Sequence, residues 1–188
     1  KYRVLAPDLR GFGETDAPAY GYSKRNVAGD IASLLGLLGI ERATIVGHDI
    51  GAQVAFRMTR DMPDLVERLV IINGWFPPLS APLLYLPRQA PERWYYFFHR
   101  IRGLPETLIR SNVAAYVGYF LNHWSHPSFS FSEVEIAAYA GAMERPGRLE
   151  GGLAHYRAFE HDLEDWKDAS DWSSELPALV VWGADDPV

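Results

Sequence analysis

The sequence predicts an α/β protein built on a mostly parallel sheet, with a helical block inserted between two of its strands. Three observations carry this. Strand-type and helix-type apolar patterns alternate over residues 2–72, the mark of right-handed βαβ units. Leu69-Val70-Ile71-Ile72 is continuously apolar rather than alternating, as in a parallel strand covered on both faces. From Trp94 to about Trp172 no β-branched run occurs, only aromatic-rich helical spacing, and Leu179-Val180-Val181-Trp182 then resumes a strand pattern.

Taken in order, Tyr2 to Ala6 reads as a strand stopped by Pro7, followed by a glycine-punctuated loop, Asp8-Leu9-Arg10-Gly11-Phe12-Gly13. Asp8 and Arg10 are expected to pair within that loop. Val27, Ile31, Leu34, Leu35 and Leu38 recur at helical spacing, and Gly39 stands where a helix C-terminus favours glycine. Ala43 to Gly47 is a second buried-type strand. A tight turn at His48-Asp49 leads into a helix from about Gly51 to Asp61, ended by Pro63. After the strand at 69–72 the composition shifts to a run holding Pro77, Pro78, Pro82, Pro87 and Pro91. The expected organisation is therefore 1–76 as the first part of an α/β core, 77–172 as a helical cap, and 173–188 as the core resumed.

At 188 residues the chain can bury a full core. With 18 basic against 24 acidic side chains its formal charge is −6, which argues against a nucleic-acid partner, since phosphate binding needs clustered Lys and Arg. No apolar run approaches the roughly 18 residues of a membrane span. The absence of Cys excludes disulfides, thiolate metal sites and a cysteine nucleophile. The chain opens on Lys1 inside one strand pattern and closes just after another, so the expectation is a piece of a longer protein, truncated at both ends. Targeting signals are then unreadable, and the cytoplasm is the default expectation for its compartment. Oligomeric state leaves no mark in the sequence.

The strongest chemical signal is Val46-Gly47-His48-Asp49-Ile50-Gly51-Ala52, lying between a predicted strand and a predicted helix. Small residues two before and two after a central residue suit a sharp strand-to-helix elbow. Such an elbow holds the central side chain over helix N–H groups. Here the centre is Asp49, and a carboxylate nucleophile attacks carbon to form an ester. The plainer alternative is an Asp N-cap on a glycine-rich turn. A second signal, Val181-Trp182-Gly183-Ala184-Asp185-Asp186-Pro187, ends the last strand. An acid orienting a catalytic histidine belongs there, although Asp-Asp-Pro is also ordinary turn chemistry. His123 and His126 form an H-x-x-H pair, but no suitable third ligand stands nearby, so surface or cap packing is the expectation rather than a metal site. Gly11-Phe12-Gly13 opens like a dinucleotide fingerprint, yet Asp16 replaces the third glycine and would repel a pyrophosphate.

Three segments in order, Ala6-Pro7-Asp8-Leu9-Arg10-Gly11-Phe12-Gly13-Glu14-Thr15-Asp16, Gly47-His48-Asp49-Ile50-Gly51-Ala52 and Trp182-Gly183-Ala184-Asp185-Asp186-Pro187, resemble the α/β-hydrolase superfamily. The resemblance is to its aspartate-nucleophile branch of epoxide hydrolases, haloalkane dehalogenases and fluoroacetate dehalogenases. It spans essentially the whole chain and implies that the inserted helices form a cap. Haloalkane dehalogenases typically place Trp directly after the nucleophile; here it is Ile50. Fluoroacetate dehalogenases place Arg there and again three residues later; here the residues are Ile50 and Gln53. Epoxide hydrolases use two cap tyrosines, for which Tyr95 and Tyr156 are the candidates. Tyr95 also suits a plain core role, because it sits in a run of five aromatics. Tyr96 points about 100° away on a helix and cannot share one cleft with it.

The resemblance implies epoxide hydrolysis without cofactor or metal. Asp49 is the nucleophile, Tyr95 and Tyr156 hold the epoxide oxygen, the Ile50 N–H forms half of an oxyanion hole, and Asp186 orients the histidine that activates water. In this superfamily that histidine follows the acid, whereas His48, His99, His123, His126, His155 and His161 all precede Asp186. The expected base therefore lies beyond Val188, the other oxyanion loop before Lys1, and the segment alone is expected to be inert. Asn73, where some relatives carry the acid, cannot serve as one. The aromatic cap implies a small, largely apolar substrate. The rival enzyme is a dehalogenase using the same Asp49 ester. The rival from another class is a non-catalytic binding protein with an α/β-hydrolase-like fold.

Overall fold

The computed structural model describes residues 2–74, 76, 90–167 and 172–186. Helix α1 (Lys24–Leu37) starts at Ser23, whose hydroxyl accepts the Asn26 N–H at 3.4 Å. It ends in a paired C-terminal bond pattern, Gly39 N–H to Gly36 carbonyl at 3.1 Å and Ile40 N–H to Leu35 carbonyl at 2.9 Å. That pattern needs a left-handed residue, and Gly39 supplies it with φ 66°. Strand β1 (Ala43–His48), α2 (Ile50–Asp61), a 3-10 turn (Pro63–Leu65) and β2 (Val66–Ile72) follow.

Among the described residues, six α-helices and no strand separate β2 from β3 (Ala178–Val181): α3 (Ala90–Arg100), α4 (Leu104–Arg110), α5 (Val113–His123), α6 (Glu133–Glu144), α7 (Arg148–Arg157) and α8 (Phe159–Trp166). Among the described residues no helix is long and apolar enough to cross a membrane. The proline run Pro77, Pro78, Pro82 and Pro87 lies outside the described residues.

The sheet is parallel throughout, in order β1-β2-β3. Its register places His48 beside Ile72 and Ile72 beside Val181. The three strands thus end on one line, and the residues just past them share one edge. Val27, Ala28 and Leu35 of α1 bury against Val54 and Met58 of α2 and Val66 of β2. A second core joins Ile109, Val113, Val117, Ala140, Leu149 and Leu153 within the inserted helices.

Two expectations need correction. Tyr2 to Ala6 forms no strand, and Val4 is 80% exposed. A strand exists only by pairing its backbone, and neither edge of the described sheet reaches this segment. Asp8 and Arg10 do not pair. Arg10 instead grips Asp30 of α1 with two bonds, 2.6 Å from Nε and 2.5 Å from Nη2. Asp8 accepts the Glu14 N–H at 2.9 Å. Gly13 permits that fold-over, because a Cβ there would fall 2.0 Å from Asp8 Oδ2.

The inserted helices are tied to the α/β part by polar contacts and one backbone crossing. Gly11 and Gly151 approach so closely that a Cβ on Gly151 would meet Gly11 Cα at 2.6 Å. Lys24, 2% exposed, pairs with Asp162, 1% exposed, at 2.8 Å. The Lys24 ammonium also donates to the His155 carbonyl at 3.0 Å, and its backbone N–H donates to Asp162 Oδ1 at 2.7 Å. His155 stacks on Phe12 at 5.1 Å and bonds the Arg10 carbonyl through Nε2 at 3.0 Å.

Candidate active site

Asp49 sits where β1 becomes α2, at φ 49° and ψ −117°. A residue other than glycine holds such a conformation only where its surroundings impose it, at a cost of order 1–3 kcal/mol. Two glycines make the turn possible. A Cβ on Gly47 would lie 2.4 Å from the Gly51 carbonyl oxygen, and one on Gly74 would lie 2.1 Å from Ala52 Cβ. Gly51 has open space around its missing Cβ among the described residues. The close packing at this elbow thus falls on Gly47, Ala52 and Gly74. Gly47→Ala should destabilise the fold by about 1–3 kcal/mol through overpacking against helix backbone that cannot swing aside. A drop in the urea midpoint with an unchanged m-value checks this.

Asp49 holds the N-cap position of α2, yet its carboxylate makes no capping hydrogen bond. Its side chain therefore does not cap the helix. Burial raises its pKa, and Asp186 adds to the rise, while His48 and Lys24 oppose it. Ile50 is the first residue of α2, so its N–H is one of the helix donors without an intrahelical partner.

Past the end of β3, the Asp186 carboxylate accepts a hydrogen bond from Asn73 Nδ2 at the end of β2. Asp49, Asn73 and Asp186 thus follow three adjacent strand ends. Asp185 faces outward, its side chain 76% exposed and 3.8 Å from His126 Nε2. The two neighbours thus differ: Asp186 is bonded to Asn73, and Asp185 is exposed. Asn73 was legible only as a residue unable to be an acid. Its actual part, fixing the Asp186 carboxylate, depends on strand register.

Tyr95 on α3 and Tyr156 on α7 meet edge to face, with ring centroids 5.9 Å apart and planes at 87°. Tyr95 is 5% exposed. Burial raises both phenol pKa values, and the Asp49 charge is the next contribution to each. Both phenols therefore stay protonated at neutral pH. Tyr96 packs on Phe159 at 5.7 Å and on Tyr156 at 5.3 Å. Gln53 is 2% exposed inside α2, and with Ile50 it supplies neither an indole N–H nor a guanidinium.

The histidines disperse. His123 bonds Glu92 at 2.9 Å, while His126 bonds Ser128 at 2.7 Å, so the H-x-x-H pair diverges. Among the described residues no cluster of three metal-type ligands forms. His48 is exposed at the end of β1, and His161 is exposed on α8. His99 and His155 are buried, and desolvation lowers each pKa to about 4.

A family model described as alpha/beta hydrolase fold matches residues 1–188. The chain belongs to the α/β-hydrolase family. More particularly, it is similar to epoxide hydrolases. It is 33% identical over 189 residues to the soluble epoxide hydrolase of Corynebacterium sp. (strain C12), covering 97% of this chain and 65% of that protein. It is 39% identical over 213 residues to epoxide hydrolase 3 of Siraitia grosvenorii, covering 98% and 66%. The solved structure of the epoxide hydrolase CorEH superposes with a TM-score of 0.77 at 31% identity, covering 95% of this chain and 64% of that one. The chain thus spans about two-thirds of these relatives, and only 52% of human epoxide hydrolase 4.

Proposed function

We propose that the protein opens small apolar epoxides to diols through an ester on Asp49. One observation supports this reading: an uncapped carboxylate stands on a strained elbow, and its charge acts on two neutral phenols that meet edge to face. An Asp49 oxygen attacks a ring carbon, the carbon–oxygen bond breaks, and its electron pair goes to the epoxide oxygen. Tyr95 and Tyr156 hydrogen-bond the alkoxide as it forms, one of them transfers its proton to it, and the proton freed in ester hydrolysis returns to that phenolate. The Ile50 N–H polarises the ester oxygen. A histidine that follows Asp186 in chain order and is oriented by it takes a proton from water, which attacks the ester carbonyl; the acyl–oxygen bond breaks, the diol leaves with that proton, and the Asp49 carboxylate is restored. Asn73 holds Asp186 for that task. No step in this scheme calls on a metal or cofactor. A dehalogenase would use the same ester, but Ile50 and Gln53 offer its leaving group neither an indole N–H nor a guanidinium.

The test uses full-length protein with styrene-type epoxides and haloalkanes. Diol formation is expected; halide release without diol formation would reverse the assignment. Tyr156→Phe should lower the ring-opening rate by roughly 10²–10³ while changing substrate binding little, since its bond strengthens as negative charge develops. Single-turnover rates against substrate concentration separate the two effects.

A further inference from the structure

We propose that His99, held by Tyr116, is a positioning residue for the Tyr156 phenol, an inference that rests on the epoxide reading above. His99 follows Tyr95 by one helical turn on α3 and is 7% exposed. Its ring meets Tyr156 edge to face at 4.4 Å and 67°, closer than Tyr95 at 5.9 Å or Tyr96 at 5.3 Å. On its other side, His99 Nε2 hydrogen-bonds the Tyr116 hydroxyl of α5. Nδ1 is buried without a hydrogen-bond partner among the described residues.

This is a costly residue for the place it fills. Phe98 and Phe120 stand beside it, and a phenyl ring would fit the same aromatic cluster without burying an unpaired nitrogen. Burial keeps the imidazole neutral at pH 7, so it contributes no charge to the site. What it adds over phenylalanine is the bond to Tyr116, which fixes its own ring plane. The Tyr156 hydroxyl makes no hydrogen bond to another described residue, so ring packing sets its aim. A donor that acts on a developing alkoxide must be held to about 0.5 Å. Tyr116, bonded to His99, which packs edge-on against Tyr156, supplies that constraint from behind the site.

The experiment follows ester formation and ester hydrolysis separately in full-length protein with styrene oxide. His99→Phe keeps ring shape and removes the nitrogens, His99→Gln retains a polar partner for Tyr116, and Tyr116→Phe deletes one oxygen from a partly buried ring. His99→Phe should slow ester formation about tenfold, with ester hydrolysis and KM nearly unchanged. Tyr116→Phe should act in the same direction, and His99→Gln should recover part of the rate. In a Tyr156→Phe background both phenylalanine variants should have no further effect. Equal slowing in that background, or changes confined to KM and Tm, would overturn the inference. Should His99→Phe fail to fold, Tyr116→Phe decides alone by the same cycle. Wild-type protein that does not open styrene oxide would bring down the epoxide reading. Normal wild-type opening with an unchanged His99→Phe rate would bring down this inference only.

Discussion

Full-length protein carrying Asp49→Asn should lose multiple turnover by about 10⁴-fold or more, because an amide cannot form the ester that the proposed mechanism requires. With wild-type protein, one turnover in heavy-oxygen water should place label in the Asp49 carboxylate. Label confined to the diol would sink the ester mechanism. The same substitution should raise stability. The folded-state pKa of Asp49 is raised, chiefly by burial, so the native state holds this proton more tightly than the unfolded chain. Stability therefore falls as pH rises through the window between the unfolded value, about 3.9, and the raised folded value. Asn has no such dependence. The stability gain of Asp49→Asn should be smallest in acid and reach its full size above that window. Urea unfolding of both proteins across pH checks the sign.

The second large effect is structural. Asp162→Ala should cost about 3–5 kcal/mol, since it leaves the buried Lys24 ammonium without its counter-charge. Lys24→Met with Asp162→Leu should recover most of that loss, because replacing both members of a buried pair with apolar groups removes two desolvation penalties together. Urea unfolding of the three proteins checks this, and a double variant as unstable as Asp162→Ala would contradict it. The pair matters beyond its own energy. Through the Lys24 bond to the His155 carbonyl it anchors the residue immediately before Tyr156 to the start of α1. Asp162→Ala should therefore also lower the ring-opening rate at temperatures where the protein remains folded.

Local signals carried the elements that local physics decides. Ser23 and Gly39 bound α1 because a hydroxyl cap and a left-handed residue are chemical requirements of helix ends. The Gly47-His48-Asp49 turn was readable because an elbow this tight admits no side chain at Gly47. Tyr2 to Ala6 failed as a strand for the complementary reason: apolar β-branched character is local, but a strand requires a partner that lies elsewhere. Arg10 chose Asp30 over Asp8 on similar grounds, since folding brought a carboxylate from α1 into bidentate geometry.

The sequence by itself determined the α/β pattern and the Asp49 elbow, because both rest on short-range spacing set by the backbone, while Asp186, Tyr95 and Tyr156 were candidates that the resemblance implied. Tertiary structure alone decided which groups meet. Parallel register set Asn73 against Asp186 and separated Asp186 from Asp185. Packing of α3 on α7 brought Tyr95 to Tyr156 and His99 behind it. The buried Lys24–Asp162 pair joined residues far apart in the chain. Hydrogen bonds and ring contacts act over a few ångströms, and folding, not sequence spacing, sets distances of that size between remote residues.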